Sequence, residues 1–195
     1  MTTIVGAARG GIVHMAADSC TNVYDVPLPG AATKIIRRHL GDREEMLLGV
    51  TGSAGLAQVL ADPVLFRTYR VDELTVDDEL DSVDRVAFTI ARKVTAAAVD
   101  AKLLEDGRMD SNVLLGWRGR LWTIAHMCAI PHPDGIAALG SGHGFAFGAV
   151  DALLGTGVDA EDAVARACLI AIERDRYSAG PIQVESLVPA DAAAA

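Results

Sequence analysis

The succession of apolar patterns constrains this chain more than any single residue does. Segments 3–8 and 12–17 alternate as strands around Arg9-Gly10-Gly11, whose glycines tolerate positive φ, so the N-terminus predicts a β-hairpin. Segment 19–33, with Pro27, Pro29 and Gly30, reads as a loop. Segments 34–38 and 46–50 read as two strands around a charged turn at 41–44. A short helix follows Gly52 and ends at Asp62-Pro63, because a residue before proline avoids helical geometry. Val83, Val86, Ala87, Ile90, Val94, Ala97, Ala101 and Leu104 recur at three- and four-residue steps, which predicts a helix over 80–104. Asn112–Trp117 and Arg120–Ala125 flank the short turn Arg118-Gly119. A brief strand over 135–139 precedes helices over 143–154 and 163–174, the second introduced by Asp159 and Asp162, and a last strand covers Ile182–Leu187. Helices therefore come in pairs between groups of strands, whereas a doubly wound parallel sheet would alternate them. The pattern predicts an α+β chain of two antiparallel sheets flanked by helices, a four-layer αββα sandwich.

No internal repeat breaks the 195 residues, so a single domain over 1–195 is expected, with 188–195 a disordered tail. The hydrophobic fraction of 51% excludes a disordered composition. A net charge of −9 without a Lys/Arg stripe repels phosphate backbones and argues against nucleic-acid binding. Cys20, Cys128 and Cys168 form an odd set with no metal-ligand spacing, which argues for a reducing compartment and against a disulfide framework or zinc. Neither a signal peptide nor an apolar run long enough to span a membrane is visible, so a cytoplasmic location is expected.

Three features could carry chemistry. Removal of Met1, favoured by a small second residue, would leave Thr2 with an α-amino group titrating near pH ~7.7–8.0, able to act as base for its own hydroxyl. A small residue at position two is also commonplace. Asp18 ends the second strand of the hairpin and Lys34 opens the next strand, so a sheet could bring both to the edge where Thr2 lies. A lysine held there would lower the cost of deprotonating the hydroxyl, although a surface salt bridge explains any one Asp/Lys pair. Between a strand and a helix, Thr51-Gly52-Ser53-Ala54-Gly55 makes the Gly52 N–H a candidate oxyanion donor, or a plain turn.

Together these residues resemble the proteasome β-subunit and HslV family of N-terminal-threonine peptidases, over the chain from Thr2 to about Leu187. Thr2-Thr3-Ile4-Val5 is similar to the mature N-terminus of that family, and Asp18 and Lys34 stand sixteen and thirty-two residues after Thr2, at the family's spacing. The run from Gly52 to Gln58 looks like the oxyanion glycine and its helix, Gly140-Ser141-Gly142 like the serine turn, and Asp175 with Ser178 like the pair that holds the N-terminus. The resemblance implies an Ntn-hydrolase fold, Thr2 as nucleophile, Lys34 oriented by Asp18, Gly52 as oxyanion donor, and Ser141, Asp175 and Ser178 as positioning groups. It also implies a specificity pocket of Thr21, Ala32, Ile36, Val50 and Ala54, small or apolar except for Thr21, hence cleavage after apolar side chains. No cofactor and no metal are implied. The implied partners are polypeptide substrates, further copies in a homo-oligomeric and stacked ring, and an ATP-dependent unfoldase, HslU-like or a proteasomal ATPase. His143 reads first as a helix-start residue. Two other readings stand beside the peptidase: a catalytically silent structural ring subunit, and a small-molecule amidohydrolase with the same N-terminal chemistry.

Overall fold

The N-terminal hairpin forms the centre of the first sheet. Its strands β1 (Thr3–Arg9) and β2 (Ile12–Asp18) are joined through Gly10 and Gly11, at φ 58° and 81°, a region glycine reaches without a Cβ clash. In this computed structural model, which describes residues 2–23, 26–30, 32–41, 44–67 and 79–188, short strands β3 (Thr21–Val23) and β4 (Val26–Leu28) follow. Next come β5 (Ile35–Leu40), β6 (Glu44–Val50), α1 (Ala54–Leu60) and α2 (Glu79–Asp100). The hairpin β7 (Leu104–Glu105) and β8 (Arg108–Met109) leads to β9 (Asn112–Trp117), β10 (Arg120–Ala125) and β11 (Cys128–Pro131). The chain then runs through β12 (Ile136–Gly140), α3 (His143–Gly155), α4 (Ala160–Arg174) and β13 (Ile182–Leu187).

The first sheet has the order β12-β1-β2-β13 and the second β11-β10-β9-β6-β5, every pairing antiparallel. Because strand side chains alternate, each central strand feeds two cores. Ile4, Val13, Met15 and Ala17 point inward against Ile35, Leu47, Leu114 and Leu121 of the second sheet. Val5, Ala7 and Ala16 point outward against Ala163, Val164, Ala167 and Ala171 of α4. On the far side, Leu48, Val50, Leu115, Trp117 and Trp122 pack against Val86, Ile90 and Val94 of α2. The result is the αββα sandwich. The sheets approach so closely that a Cβ on Gly116 would lie 2.7 Å from Val13.

Local expectations fail where tertiary pairing overrides pattern. The helix expected to reach Leu104 stops at Asp100: Lys102 takes φ 57°, Leu103 N–H bonds Ala98 C=O at 2.8 Å and Lys102 N–H bonds Val99 C=O at 2.9 Å. That is a Schellman stop built without glycine, and it sends Leu104 into β7. The loop expected over 19–33 contains the β3–β4 hairpin. The residues up to Pro131, outside every strand read from the sequence, form β11, an edge strand where a proline costs no ladder bond. The expected tail lies outside the described residues from 189 onward, as do positions 42 and 43 of the charged turn.

Candidate active site

Thr2 sits just beyond the end of β1, 3% exposed, beneath the turn that follows β12. Thr3 pairs with Gly140, whose φ is 91°, and a Cβ on Gly140 would come within 1.9 Å of the Thr2 carbonyl oxygen. Only glycine lets the Ser141 turn cross there. The antiparallel return of β2 brings Asp18 to the same level, where its Oδ1 accepts the Thr3 N–H at 2.8 Å. Lys34, in the lead-in to β5, reaches across from the second sheet and donates from Nζ to Asp18 Oδ1 at 2.7 Å. Asp18 Oδ2 accepts N–H groups from Cys20 at 3.0 Å and Ala179 at 3.3 Å. A fully buried ion pair is tolerable when such bonds satisfy the remaining lone pairs.

A second polar group closes over Thr2 from the helical side. Asp175 caps the C-terminus of α4 and is 8% exposed. Its Oδ2 accepts hydroxyl protons from Ser141 at 2.6 Å and Ser178 at 2.7 Å. With its one proton given to Asp175, Ser141 Oγ lies 3.4 Å from Thr2 N as an acceptor. The chain of contacts is therefore Thr2 N, Ser141, Asp175, Ser178.

In front of Thr2 opens a cleft of about 890 Å³. Thr2, Lys34 and Gly52 line one end, and Thr21, Ala32, Ile36, Val50 and Ala54 all contribute to its walls. Gly52 is exposed at φ 90°, and among the described residues no acceptor takes its N–H. A Cβ there would lie 2.7 Å from Asp110 O and from Ser111 Oγ. The far end is more polar than the residue pattern implies, since Arg38 and Gln58 reach it. Cys168 of α4 lies in the field of the same ion pair, and burial pushes its thiol up to about 12, with Asp18 adding to the rise and Lys34 opposing it. A thiol protonated at neutral pH does not compete as a nucleophile.

No family model matches the sequence. Solved structures match over nearly its whole length. Thiobacillus denitrificans BPH in complex with epoxomicin has a TM-score of 0.73 at 24% identity, covering 96% of this chain and all (100%) of that one. BPH determined without that compound gives 0.72 at 24% identity, over 95% and 97% of the two chains. HslV from Trypanosoma brucei gives 0.65 at 24% identity, over 96% and 100%.

The fold is the one shared by BPH and HslV.

Within this fold the chain gathers all twelve residues singled out from sequence around one end of the sheets, in two sets: Thr2, Lys34, Gly52 and the five pocket residues face the cleft, and Asp18, Ser141, Asp175 and Ser178 lie beside or behind Thr2. His143 starts α3, and its Nδ1 lies 2.8 Å from Gly140 O, so it buttresses the serine turn. Three contributors escaped the sequence reading. Thr3 Oγ1 meets Ser178 Oγ at 2.7 Å, which extends the hydroxyl chain to the first strand residue. Ser111 Oγ accepts the Ser53 N–H at 2.9 Å and supports the backbone next to Gly52. Gln183 bonds the main chain at Lys34. Each lies at a strand boundary or within a strand; Thr3 falls inside the N-terminal motif, which gives its side chain no role, and no motif marks Ser111 or Gln183.

Proposed function

We propose that this chain is a threonine-type endopeptidase subunit, with Thr2 as nucleophile once Met1 has been removed. The observation that carries the reading is the convergence of Thr2, the buried Lys34–Asp18 pair and the Gly52 N–H at one end of a cleft large enough for a peptide segment. In the proposed reaction the Thr2 α-amine takes the hydroxyl proton, directly or through water, as Oγ bonds to the peptide carbonyl carbon. The Lys34 charge offsets the developing alkoxide, and Asp18 holds Lys34 in place. The Gly52 N–H bonds the oxyanion of the tetrahedral intermediate. Expulsion of the leaving amine, which carries away the proton, gives an ester on Thr2; water then adds, giving a proton to the now neutral α-amine, and the acid product leaves as Oγ takes that proton back. Ser141 and Asp175 orient the amine through the 3.4 Å and 2.6 Å contacts. The apolar near wall, with Ile36, Val50 and Ala54, supports cleavage after apolar side chains.

The same reading extends to assembly. Phe145, Phe147, Leu169 and Ile170 are exposed on the outer helical layer, which supports contacts between copies in a homo-oligomeric, stacked ring. A closed chamber would take folded substrates only with an ATP-dependent unfoldase, HslU-like or proteasomal. The location implied for such an assembly is cytoplasmic.

Intact mass of the purified protein with and without epoxomicin, the compound bound to BPH, tests the core of the reading. Loss of the Met1 mass and a single stoichiometric adduct that is absent in Thr2→Ala supports it. A fully assembled particle that keeps Met1 overturns it. A particle that has lost Met1 and forms no adduct points to a silent subunit.

A further inference from the structure

Asp18 and Lys34 belong to different sheets, so the 2.7 Å contact between them depends on how the sheets are held together at that point. Asp18 ends β2 in the first sheet. Lys34 leads into β5, the edge of the second, whose outward backbone groups have no neighbouring strand among the described residues. The Lys34 carbonyl is fixed on the inner side by the Val50 N–H at 2.9 Å. On the outer side a single side chain from the first sheet stands where a strand would be. Gln183 Oε1 accepts the N–H of Lys34 at 3.1 Å and of Ile35 at 3.0 Å, and its Nε2 donates to the Ile35 carbonyl at 2.7 Å.

Gln183 is itself registered to the other partner of the ion pair. In the β13–β2 ladder it stands opposite Ala17, and its neighbour Ile182 stands opposite Asp18. One residue therefore refers Lys34 to Asp18, through its main chain on one side and its amide on the other. The other bonds between β13 and β5 come from Arg37, to Glu185 at 3.1 Å and the Ser186 carbonyl at 2.7 Å; they lie farther along both strands and do not touch Lys34.

We infer that Gln183 is a positioning residue for Lys34, setting where the ammonium lies relative to the Thr2 hydroxyl and amine. The inference rests on the peptidase reading of Thr2. Lys34 without this amide loses the outer restraint on its main chain, and its charge offsets the Thr2 alkoxide less effectively. A cation held near the amine also favours the amine's neutral form, so a displaced Lys34 raises the pH at which that amine becomes a base.

The test uses the assembled full chain and Gln183→Leu. It measures peptide hydrolysis and the rate of epoxomicin adduct formation from about pH 6 to about pH 9, together with amide exchange at Lys34 and Ile35. Expected are faster exchange at both amides, a fall in kcat of roughly 10–100-fold with KM changed less than about threefold, and an acid limb moved upward by as much as about one pH unit. Faster exchange with kcat and the acid limb unmoved would overturn the inference and leave Gln183 as edge protection alone. A rise in KM that accounts for the whole loss, at an unmoved acid limb, would also overturn it and make Gln183 a cleft wall. Should Gln183→Leu fail to assemble, Gln183→Asn withdraws the amide by one methylene and is judged by the same outcomes. Absence of an adduct in the unmodified protein refutes the reading of Thr2 instead, and the exchange rates still report whether the amide restrains Lys34.

Discussion

Two sets of ion pairs leave the chain within four residues of each other at the start of β5, and they share little beyond their charges. Lys34 and Asp18 meet at 2.7 Å with side chains 7% and 0% exposed, and Asp18 accepts three further backbone N–H groups. Arg37 pairs with Glu45 at 2.9 Å and Glu185 at 3.1 Å, where all three side chains are roughly one-third exposed. Burial works against the Arg37 charge, but its bonds to Glu185 and Glu45 and their charges leave its pKa above the ordinary arginine value. Solvent makes the difference. Water shares the work of stabilising the outer charges, whereas the inner pair has only the protein, so its loss cannot be made good. For the role proposed for Lys34 beside Thr2, the buried arrangement holds the side chain in a more fixed place than the exposed one would.

Breaking the inner pair is expected to produce the largest effect. Lys34→Met leaves the Asp18 carboxylate buried and uncompensated, with a loss of about 3–5 kcal/mol in chemical denaturation and no epoxomicin adduct. Adding Asp18→Asn removes the stranded charge and is expected to recover most of the stability and none of the activity. A double variant as unstable as Lys34→Met would mean that the pair is structural first.

Alkaline pH probes the same region at intermediate size. The Cys168 thiol is held at about 12 against an ordinary value of 9.0, so the unfolded chain releases its proton first and folding stability falls as pH rises above 9.0. The expected contribution is about 1 kcal/mol at roughly pH 10, and Cys168→Ala should flatten that limb. Thiol labelling of the native protein near neutral pH should modify exposed Cys128 and spare buried Cys20 and Cys168. Rapid labelling of Cys168 would mean that the helix beneath the ion pair opens readily.

The outer pairs should yield the smallest change. Glu45→Gln is expected to cost at most about 1 kcal/mol, less at high salt, and to leave the rate of adduct formation within about twofold. A larger loss would show that the clasp between β5 and β13 near Arg37 also holds the inner pair.

Much of the fold was legible because its signals are local. The N-terminal hairpin shows alternation around its turn, and Asn112–Trp117 and Arg120–Ala125 are β-prone runs around a short turn, signals that need no knowledge of the partner strand. The end of α2 was not legible, since the apolar stripe continues past Asp100 and the stop is a backbone motif centred on Lys102. Strand β11 was not legible, since it is short and ends in Pro131, a residue a strand takes up at a sheet edge, where no ladder bond needs its N–H. At the site, residue identity and spacing pointed to Thr2, Asp18, Lys34 and Gly52, while the roles of Thr3, Ser111 and Gln183 exist only as contacts across long stretches of chain.

By itself, then, the sequence determined most of the main strands and helices, the antiparallel two-sheet class and the residue types able to do acyl-transfer chemistry, because periodicity, turn chemistry and side-chain reactivity are properties of short segments. Tertiary structure alone decided that Asp18 and Lys34, from separate sheets, would share one hydrogen bond at 0% and 7% exposure, and that an amide from β13 would occupy the open edge beside them. Those outcomes depend on the register and separation of two packed sheets, which close packing of Ile4, Met15, Leu47 and Leu114 sets and which no local pattern encodes.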